Sequence, residues 1–121
     1  MTEIQNPKQY DLEEKTLKFA KKVRIFIGEL PKITANFEDS KQVVRSSGSI
    51  GANYIEANES LSKKDFVMRI KISRKEAEES AYWLSLIDTQ KDTELENERI
   101  GLLKEATELM KILSSIIIKS E

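Results

Sequence analysis

The chain has 121 residues, with no cysteine, no histidine, and 20 basic against 21 acidic residues. Disulfide and thiolate chemistry are therefore excluded, and the commonest general base and transition-metal ligand is absent. The length suits a single domain, and 39% hydrophobic with 34% charged residues indicates a soluble, helix-rich protein. Because neither a signal peptide nor a membrane span is evident, we expect a cytoplasmic protein.

Charge is distributed unevenly along the chain. Residues 1–75 contain 15 basic and 10 acidic residues, whereas residues 76–121 contain 5 and 11. The first part is therefore net basic and the second net acidic, although the whole chain has a net charge of −1. Such asymmetry can attract a polyanion to one surface, or let copies of the chain attract one another.

The first amphipathic run predicts a helix that begins at Asp11 and ends before Pro31. Asp11 and Glu14 have a spacing similar to a capping box, and proline cannot continue a helix. We expect residues 1–10 to form a flexible N-terminal segment. The residues that recur at helical intervals are Leu12, Thr16, Phe19, Val23, Phe26, Ile27 and Leu30.

The second run contains a stretch rich in serine and glycine, RSSGSIGAN at residues 45–53. A phosphate-binding loop would follow a strand and precede a lysine, and neither is present, so the spacing favours a helix. A glycine inside a helix costs about 1 kcal/mol against alanine, so we expect Gly51 to face the core, where another helix backbone comes close. The apolar side of this helix would hold Val43, Val44, Ser47, Ile50, Tyr54 and Ile55.

The other side of the second helix combines small and amide-bearing residues with two charged ones. They are Arg45, Ser49, Ala52, Asn53 and Glu56. A solvated face more often has long lysine and glutamate side chains, so this composition suits contact with another helix, from a second subunit. A merely polar surface is the alternative.

The third run begins after Ser62, with Asp65 three residues later as a start signal. Its main stripe consists of Phe66, Ile70, Ser73, Ala77, Ala81 and Leu84. A second apolar stripe, roughly 150° away around the helix, consists of Met68, Ile72, Trp83 and Leu86. One core cannot cover both, so the second stripe predicts an association surface. The alternative is a wide core face in a tightly wrapped bundle.

The fourth run follows the polar segment 88–99 and continues almost to the C-terminus. Its stripe consists of Leu95, Leu102, Ala106, Leu109, Leu113 and Ile116. Short connections place consecutive helices side by side, so four such helices predict an antiparallel up-and-down bundle. We expect an all-α fold in which residues 11–119 form one domain.

Basic residues form two strips on the predicted helices. These residues are candidate phosphate contacts for RNA or DNA. Solvation, with weak pairing to neighbouring acids, is the alternative. The strips consist of Lys15, Lys18, Lys21 and Lys22 on the first helix, and Lys63, Lys64, Lys71, Arg74 and Lys75 on the third.

Three motifs resemble a known family: SI-x-AN-x-x-EA at residues 49–57, SKKDF at 62–66 and KEA-x-E-x-x-YWL at 75–84. With them, the chain from about residue 12 to residue 119 closely resembles the four-helix-bundle protein family. Its members are also called intervening-sequence proteins, after insertions in large-subunit ribosomal RNA genes. Gly51 stands where members often have proline or glycine. Ser73 stands where alanine is common.

The resemblance implies a four-helix bundle that assembles into a ring-like homopentamer. It also implies a form similar to the accessory proteins of diversity-generating retroelements, which bind nucleic acid through a basic surface. No enzymatic activity is attached to the intervening-sequence branch. The resemblance therefore specifies the expected fold and assembly more closely than the expected function.

Two functional hypotheses follow from the residues and the resemblance together. In the favoured one, the protein is a homo-oligomeric interaction or assembly module, in which Glu56 or Glu79 takes a partner across a subunit boundary. In the second, a basic surface of the oligomer binds RNA or DNA, with an affinity that depends strongly on salt.

An enzyme is a third, disfavoured hypothesis. Di-iron sites in helical bundles use histidine, and no nucleophile with a neighbouring base can be proposed. Two carboxylate pairs, Glu56 with Glu59 and Glu76 with Glu79, have a spacing that could share a cation, but such pairs more often meet arginine or lysine. We expect no catalytic residue, metal, cofactor, small-molecule substrate or membrane partner.

Overall fold

The computed structural model describes residues 7–121, with side chains described from Asp11 onward. It contains four α-helices: α1 (Pro7–Gly28), α2 (Thr34–Asn58), α3 (Lys63–Leu86) and α4 (Thr93–Ser120). No strand occurs among residues 7–121. The predicted all-α four-helix bundle is confirmed. Residues 1–6 of the predicted flexible segment lie outside the described residues.

The helices pack in the order in which they follow one another along the chain. Each contacts its sequence neighbours, α1 also contacts α4, and the diagonal pairs α1 with α3 and α2 with α4 make no contact. The contact between α2 and α3 is the most extensive, and that between α1 and α4 is the smallest. None of the helices in the described part of the chain has an apolar run long enough to cross a membrane.

The starts of α3 and α4 follow local capping chemistry. The Ser62 hydroxyl accepts a hydrogen bond from the Asp65 backbone N–H at 3.1 Å, which confirms the predicted start of α3. The Asp92 carboxylate accepts one from the Leu95 N–H at 3.0 Å, so α4 begins inside the polar segment. The predicted start of α1 at Asp11 is wrong, because the helix already begins at Pro7. Proline fits a first turn, where its missing N–H needs no partner.

The core consists mainly of the predicted apolar stripes. Ile55 is an error in that prediction, because its side chain is 49% exposed. Phe66, Ala81, Leu95 and Ile116 are only partly buried and pack against the core. Members of the four stripes that are fully enclosed include Phe19, Val23, Phe26, Val43, Ile50, Ile70, Ala77, Leu84, Leu109 and Leu113.

Buried serine hydroxyls occupy the seam between α2 and α3. The Ser73 hydroxyl donates to the Ile50 carbonyl at 2.7 Å. The Ser80 hydroxyl donates to the Glu76 carbonyl at 2.9 Å and lies 2.8 Å from the Ser46 hydroxyl, which therefore donates to it. Every one of these groups is satisfied, so short polar side chains let the two helices approach closely without an unpaired buried group. The stretch rich in serine and glycine is thus helical, as its spacing predicts.

Gly51 marks the closest approach of α1 to α2. A Cβ atom at this position would lie 2.8 Å from the Thr16 Oγ1 and 3.2 Å from the Thr16 Cβ. The predicted close approach of a neighbouring helix at Gly51 is confirmed, but the nearest atoms belong to a side chain rather than to the backbone. At Gly48, one turn earlier, a Cβ would meet only the end of the Arg24 side chain, at 3.5 Å.

A single buried asparagine joins two of the connections between helices. The Asn36 amide nitrogen donates to the carbonyls of Pro31 and Asp88, at 3.1 and 2.9 Å. Its amide oxygen accepts from the Asp88 N–H at 3.0 Å. The α1–α2 and α3–α4 connections are therefore held together at one end of the bundle.

Candidate interaction surfaces

The structure brings the predicted interface residues of α2 and α3 onto adjoining surfaces. Across the boundary, Arg69 Nη1 donates to Asn53 Oδ1 at 3.3 Å, and Arg45 reaches two glutamates of α3. We call this surface the α2–α3 face. It consists of Arg45, Ser49, Ala52, Asn53, Glu56, Met68, Ile72, Glu79, Trp83 and Leu86.

Arg45 links the two helices through a small ionic cluster. Its Nη1 lies 3.2 Å from Glu76 Oε1, and its Nη2 lies 3.3 Å from Glu79 Oε2. Glu79 thus has a partner within its own chain, so any contact across a subunit boundary would involve the whole cluster rather than a lone carboxylate. The carboxylates of Glu76 and Glu79 therefore both pair with the Arg45 guanidinium, which takes the place of a shared metal ion.

The two glutamates of the cluster differ in their acidity. Burial, together with the hydrogen bond and the charge of Glu79, raises the pKa of Glu76 above its ordinary value. The hydrogen bond with Glu76 is the largest cause that lowers the pKa of Glu79; burial opposes it, and the hydrogen bond and charge of Arg45 lower the pKa further. The more enclosed carboxyl of Glu76 therefore holds a proton more readily than the carboxyl of Glu79 does.

The apolar half of the α2–α3 face is narrower than the sequence predicts. Met68 and Leu86 are 49% and 48% exposed. Ile72 is only half-buried, whereas Trp83 packs partly against the core and its Nε1 is buried without a hydrogen-bond partner among the described residues. Much of the Trp83 side chain thus belongs to a wide core face, which was the alternative interpretation. Met68, Ile72 and Leu86 form the part of the apolar stripe that faces outward.

The two basic strips lie on α1 and α3, which are diagonally opposite in the bundle, so they form separate surfaces on one copy of the chain. In the α1 strip, Lys18 pairs with Glu14 at 3.3 Å and Lys22 with Glu105 at 3.2 Å. In the α3 strip, only Lys71 has such a pair, with Glu121 at 3.1 Å. The remaining members make no ion pair with a side chain that the structure describes. They are Lys15, Lys21, Lys63, Lys64, Arg74 and Lys75.

The acidic side chains that the structure describes do not converge on a metal site. Within the described part of the chain, no group of three or more aspartates and glutamates is arranged to hold a metal ion. Glu56, on the last turn of α2, and Glu59, just after its end, are both exposed. They are more simply explained as solvated carboxylates.

The boundary between α1 and α4 contains a groove that the sequence does not reveal. It has a volume of about 720 Å³ and lies where α1 begins and α4 ends. We call it the α1–α4 groove. Its existence depends on how far apart two helices lie, and no residue pattern within either helix determines that distance. Its walls are formed by Asp11, Leu12, Lys15, Tyr54, Asn58, Phe66, Lys111, Ile112, Ser115, Ile116 and Lys119.

Comparison with known proteins identifies the family of the chain. The sequence model of the 23S rRNA-intervening sequence protein family matches residues 8–115. The chain belongs to this family. The match spans α1 to α3 and most of α4, so the α2–α3 face lies entirely within the family domain. Two walls of the α1–α4 groove, Ile116 and Lys119, lie just beyond the matched residues.

A solved structure supports the same assignment. A protein of unknown function from the S23 ribosomal protein family of Bacteroides thetaiotaomicron VPI-5482 is 34% identical to the chain, with a TM-score of 0.78. The likeness covers 91% of this chain and 97% of that one. No curated protein matches the chain significantly. The predicted membership of the intervening-sequence family is therefore confirmed, and neither finding attaches an activity to it.

Proposed function

We propose that the chain is a non-enzymatic interaction module of the intervening-sequence type, which works in the cytoplasm and assembles with copies of itself through the α2–α3 face. One observation above all supports this proposal. On α3, Met68, Ile72 and Leu86 remain partly exposed. The neighbouring surface of α2 has only short side chains at Ser49 and Ala52. The resemblance described above suggests five copies in a ring.

The composition of this face suits an interface more than a solvated surface. Apolar side chains that are exposed together are uncommon on monomers, and the short side chains of Ser49 and Ala52 would let a helix from a second copy lie close. The Arg45 cluster would form a polar margin, because its members already satisfy one another. Such a margin adds specificity without leaving a buried charge unpaired.

Sedimentation velocity of the full chain at micromolar concentration tests the proposal. We expect an oligomer, and we expect Met68→Glu and Leu86→Glu each to shift it towards the monomer, because each places a charge in the apolar part of the face. Leu17→Glu is the matched control, since Leu17 is similarly exposed on α1 and outside the face. Circular dichroism of each variant verifies that the helices are retained. A monomeric wild-type chain, or equal dissociation by all three variants, contradicts the proposal.

A second candidate function is RNA or DNA binding through the α3 strip. Four of its five basic residues make no ion pair with described side chains, and Lys64, Lys71 and Lys75 are exposed on the same helix as Met68. Assembly through the α2–α3 face would therefore bring α3 strips from several copies near one another. Phosphate contacts of this kind release counterions, so the affinity would fall steeply as salt is added.

Filter binding to RNA and to duplex DNA at low and moderate salt tests this second function. We expect retention at low salt that is weakened by Lys63→Gln combined with Lys64→Gln. Lys32→Gln combined with Lys41→Gln removes the same charge from exposed positions elsewhere and should have less effect. If neither nucleic acid is retained at low salt, the hypothesis is wrong.

A further inference from the structure

The floor of the α1–α4 groove is apolar and comes from three helices. Leu12 of α1 is buried, whereas Phe66 of α3 and Ile112 and Ile116 of α4 are only partly buried and pack against the core. Phe66, Ile112 and Ile116 therefore have apolar surface that the bundle itself does not cover. A volume of about 720 Å³ is within the range typical of small-molecule pockets.

The rim of the groove is basic. Lys15 from α1 and Lys111 and Lys119 from α4 line it, and Asp11 is the one acidic side chain among the described lining residues. None of these lysines makes an ion pair with a described side chain, unlike Lys22 further along the same boundary. The ammonium groups are therefore available to an anion, while their aliphatic stems extend the apolar surface.

Two polar side chains of α2 complete the wall. Tyr54 is only 4% exposed, and burial is the main reason why its pKa is raised. Its phenol therefore remains protonated and can donate a hydrogen bond. Asn58 is held by a hydrogen bond from its amide nitrogen to the Glu13 carboxylate, at 3.4 Å. Donors on one side and apolar surface below are the arrangement that orients a ligand with two unlike ends.

We propose that the α1–α4 groove binds a small amphiphilic anion, in which an apolar chain or ring carries a carboxylate or phosphate. The apolar part covers Phe66, Ile112 and Ile116, and the anionic group lies among the three lysines. A bare phosphate would leave the floor uncovered, and an uncharged apolar molecule would leave the lysines unpaired. The groove shares no residue with the α2–α3 face, so this proposal stands independently of the proposed assembly.

Isothermal titration of the full chain with dodecyl phosphate, kept below its critical micelle concentration, tests the proposal. We expect one molecule to bind per chain, and we expect neither inorganic phosphate nor dodecyltrimethylammonium to bind comparably. Amide chemical shifts should change around Leu12 and Ile112. Equal binding of the cationic amphiphile, or binding only to vesicles of anionic lipid, would overturn the proposal.

Charge-removing variants locate the site. Lys111→Gln combined with Lys119→Gln should weaken dodecyl phosphate binding by about tenfold or more, since a hydrogen bond to a charged group contributes about 1.5–3 kcal/mol. Lys104→Gln is the matched control on the same helix and should leave the affinity unchanged. All three positions are exposed or at the rim, so folding should be preserved. An unchanged affinity in the double variant refutes the assignment.

Discussion

The α2–α3 seam and the α1–α4 boundary are built from the same kind of amphipathic helix, yet one is closed and the other open. In the closed seam, the side chains are short and their hydroxyls bond across or along the helices, as Ser46 and Ser80 do. At the open boundary, large apolar side chains and long lysines face each other across a groove. Closeness of packing here follows side-chain size rather than hydrophobicity.

This difference has an energetic meaning. A closed seam tolerates no added volume, and its buried hydroxyls stabilise it only while each has a partner. An open boundary tolerates added volume but leaves apolar surface exposed, which favours a ligand or a partner. The substitutions below test this contrast, from the largest expected effect to the smallest.

Ser80→Leu should be the most damaging change. It adds volume at a fully buried position and leaves the Ser46 hydroxyl without a partner, so we expect it to lower the free energy of unfolding by about 3 kcal/mol. Urea denaturation measures the loss. Ser85→Leu, on the exposed side of the same helix, should be nearly neutral. Similar losses for both variants would show that the seam is not closely packed.

Asn36→Ala should destabilise the chain by about 2 kcal/mol, because it removes the hydrogen bonds that join the α1–α2 and α3–α4 connections and leaves the Asp88 N–H unpaired. We expect this variant to unfold at lower urea concentration than Asn97→Ala, in which an exposed asparagine is truncated. An equal effect of the two substitutions would mean that the connections do not depend on this amide.

Gly51→Ala should lower the free energy of unfolding by about 1 kcal/mol, because the clash with Thr16 outweighs the gain in helix propensity. Gly48→Ala, where space is available, should instead be neutral or stabilising. Combining Gly51→Ala with Thr16→Ala removes the nearest atom, Oγ1, but keeps the Cβ atom of position 16 at 3.2 Å, so the penalty of the glycine substitution should become smaller without disappearing. An unchanged penalty in that background would mean that the hydroxyl of Thr16 does not cause the clash.

Gly101→Ala probes the open boundary in the same way. No atom lies within 4 Å of a Cβ at this position, so the variant should be more stable by up to about 1 kcal/mol through helix propensity alone. Thermal unfolding at fixed pH measures the gain. A loss of stability at Gly101 would show that the α1–α4 boundary is closed in solution.

Glu96 provides the smallest, pH-dependent effect, at the end of the bundle where α4 begins. Hydrogen bonds from Arg99 and Thr89 lower its pKa from 4.5 to about 2. The ionised carboxylate therefore stabilises the folded state above its ordinary pKa, and this contribution is lost as the pH falls from about 4.5 towards 2.

Urea denaturation at pH 6 and pH 3 measures this linkage. Glu96→Gln should lose less stability between the two pH values than the wild-type chain does. Glu108→Gln removes an exposed carboxylate that makes no ion pair with a described residue, and it should retain the wild-type slope. Parallel slopes for wild type and Glu96→Gln would show that the carboxylate is not selectively stabilised in the folded state.

The sequence predicts what depends on spacing within one helix. The Ser62 cap, the helical nature of residues 45–53 and most of the core follow from local chemistry and from a period of 3.6 residues. Ile55 shows the limit of that period, because it lies at the edge of the apolar stripe, where a small rotation of the helix decides between core and solvent. Pro7 shows another limit, since a proline that is compatible with a first turn gives no sign by itself that a helix follows.

Contacts that depend on the register between two helices could not be predicted from the sequence. Arg45 was expected at an interface, but its partners Glu76 and Glu79 could be identified only once α2 and α3 were aligned side by side. The α1–α4 groove was missed for the same reason, although the apolar Ile112 and Ile116 beside Lys111 and Lys119 would have been the available signal.

The hydrogen bonds of Asn36 also determine how the bundle can move. They join positions 52 residues apart at the end where α1 finishes and α4 starts, and the groove lies at the opposite end. Because the contact between α1 and α4 is the smallest in the bundle and that between α2 and α3 the largest, we expect the first turns of α1 and the last turns of α4 to separate more readily than α2 and α3 do. Ligand access to the groove and the connections joined by Asn36 would then depend on different ends of the molecule.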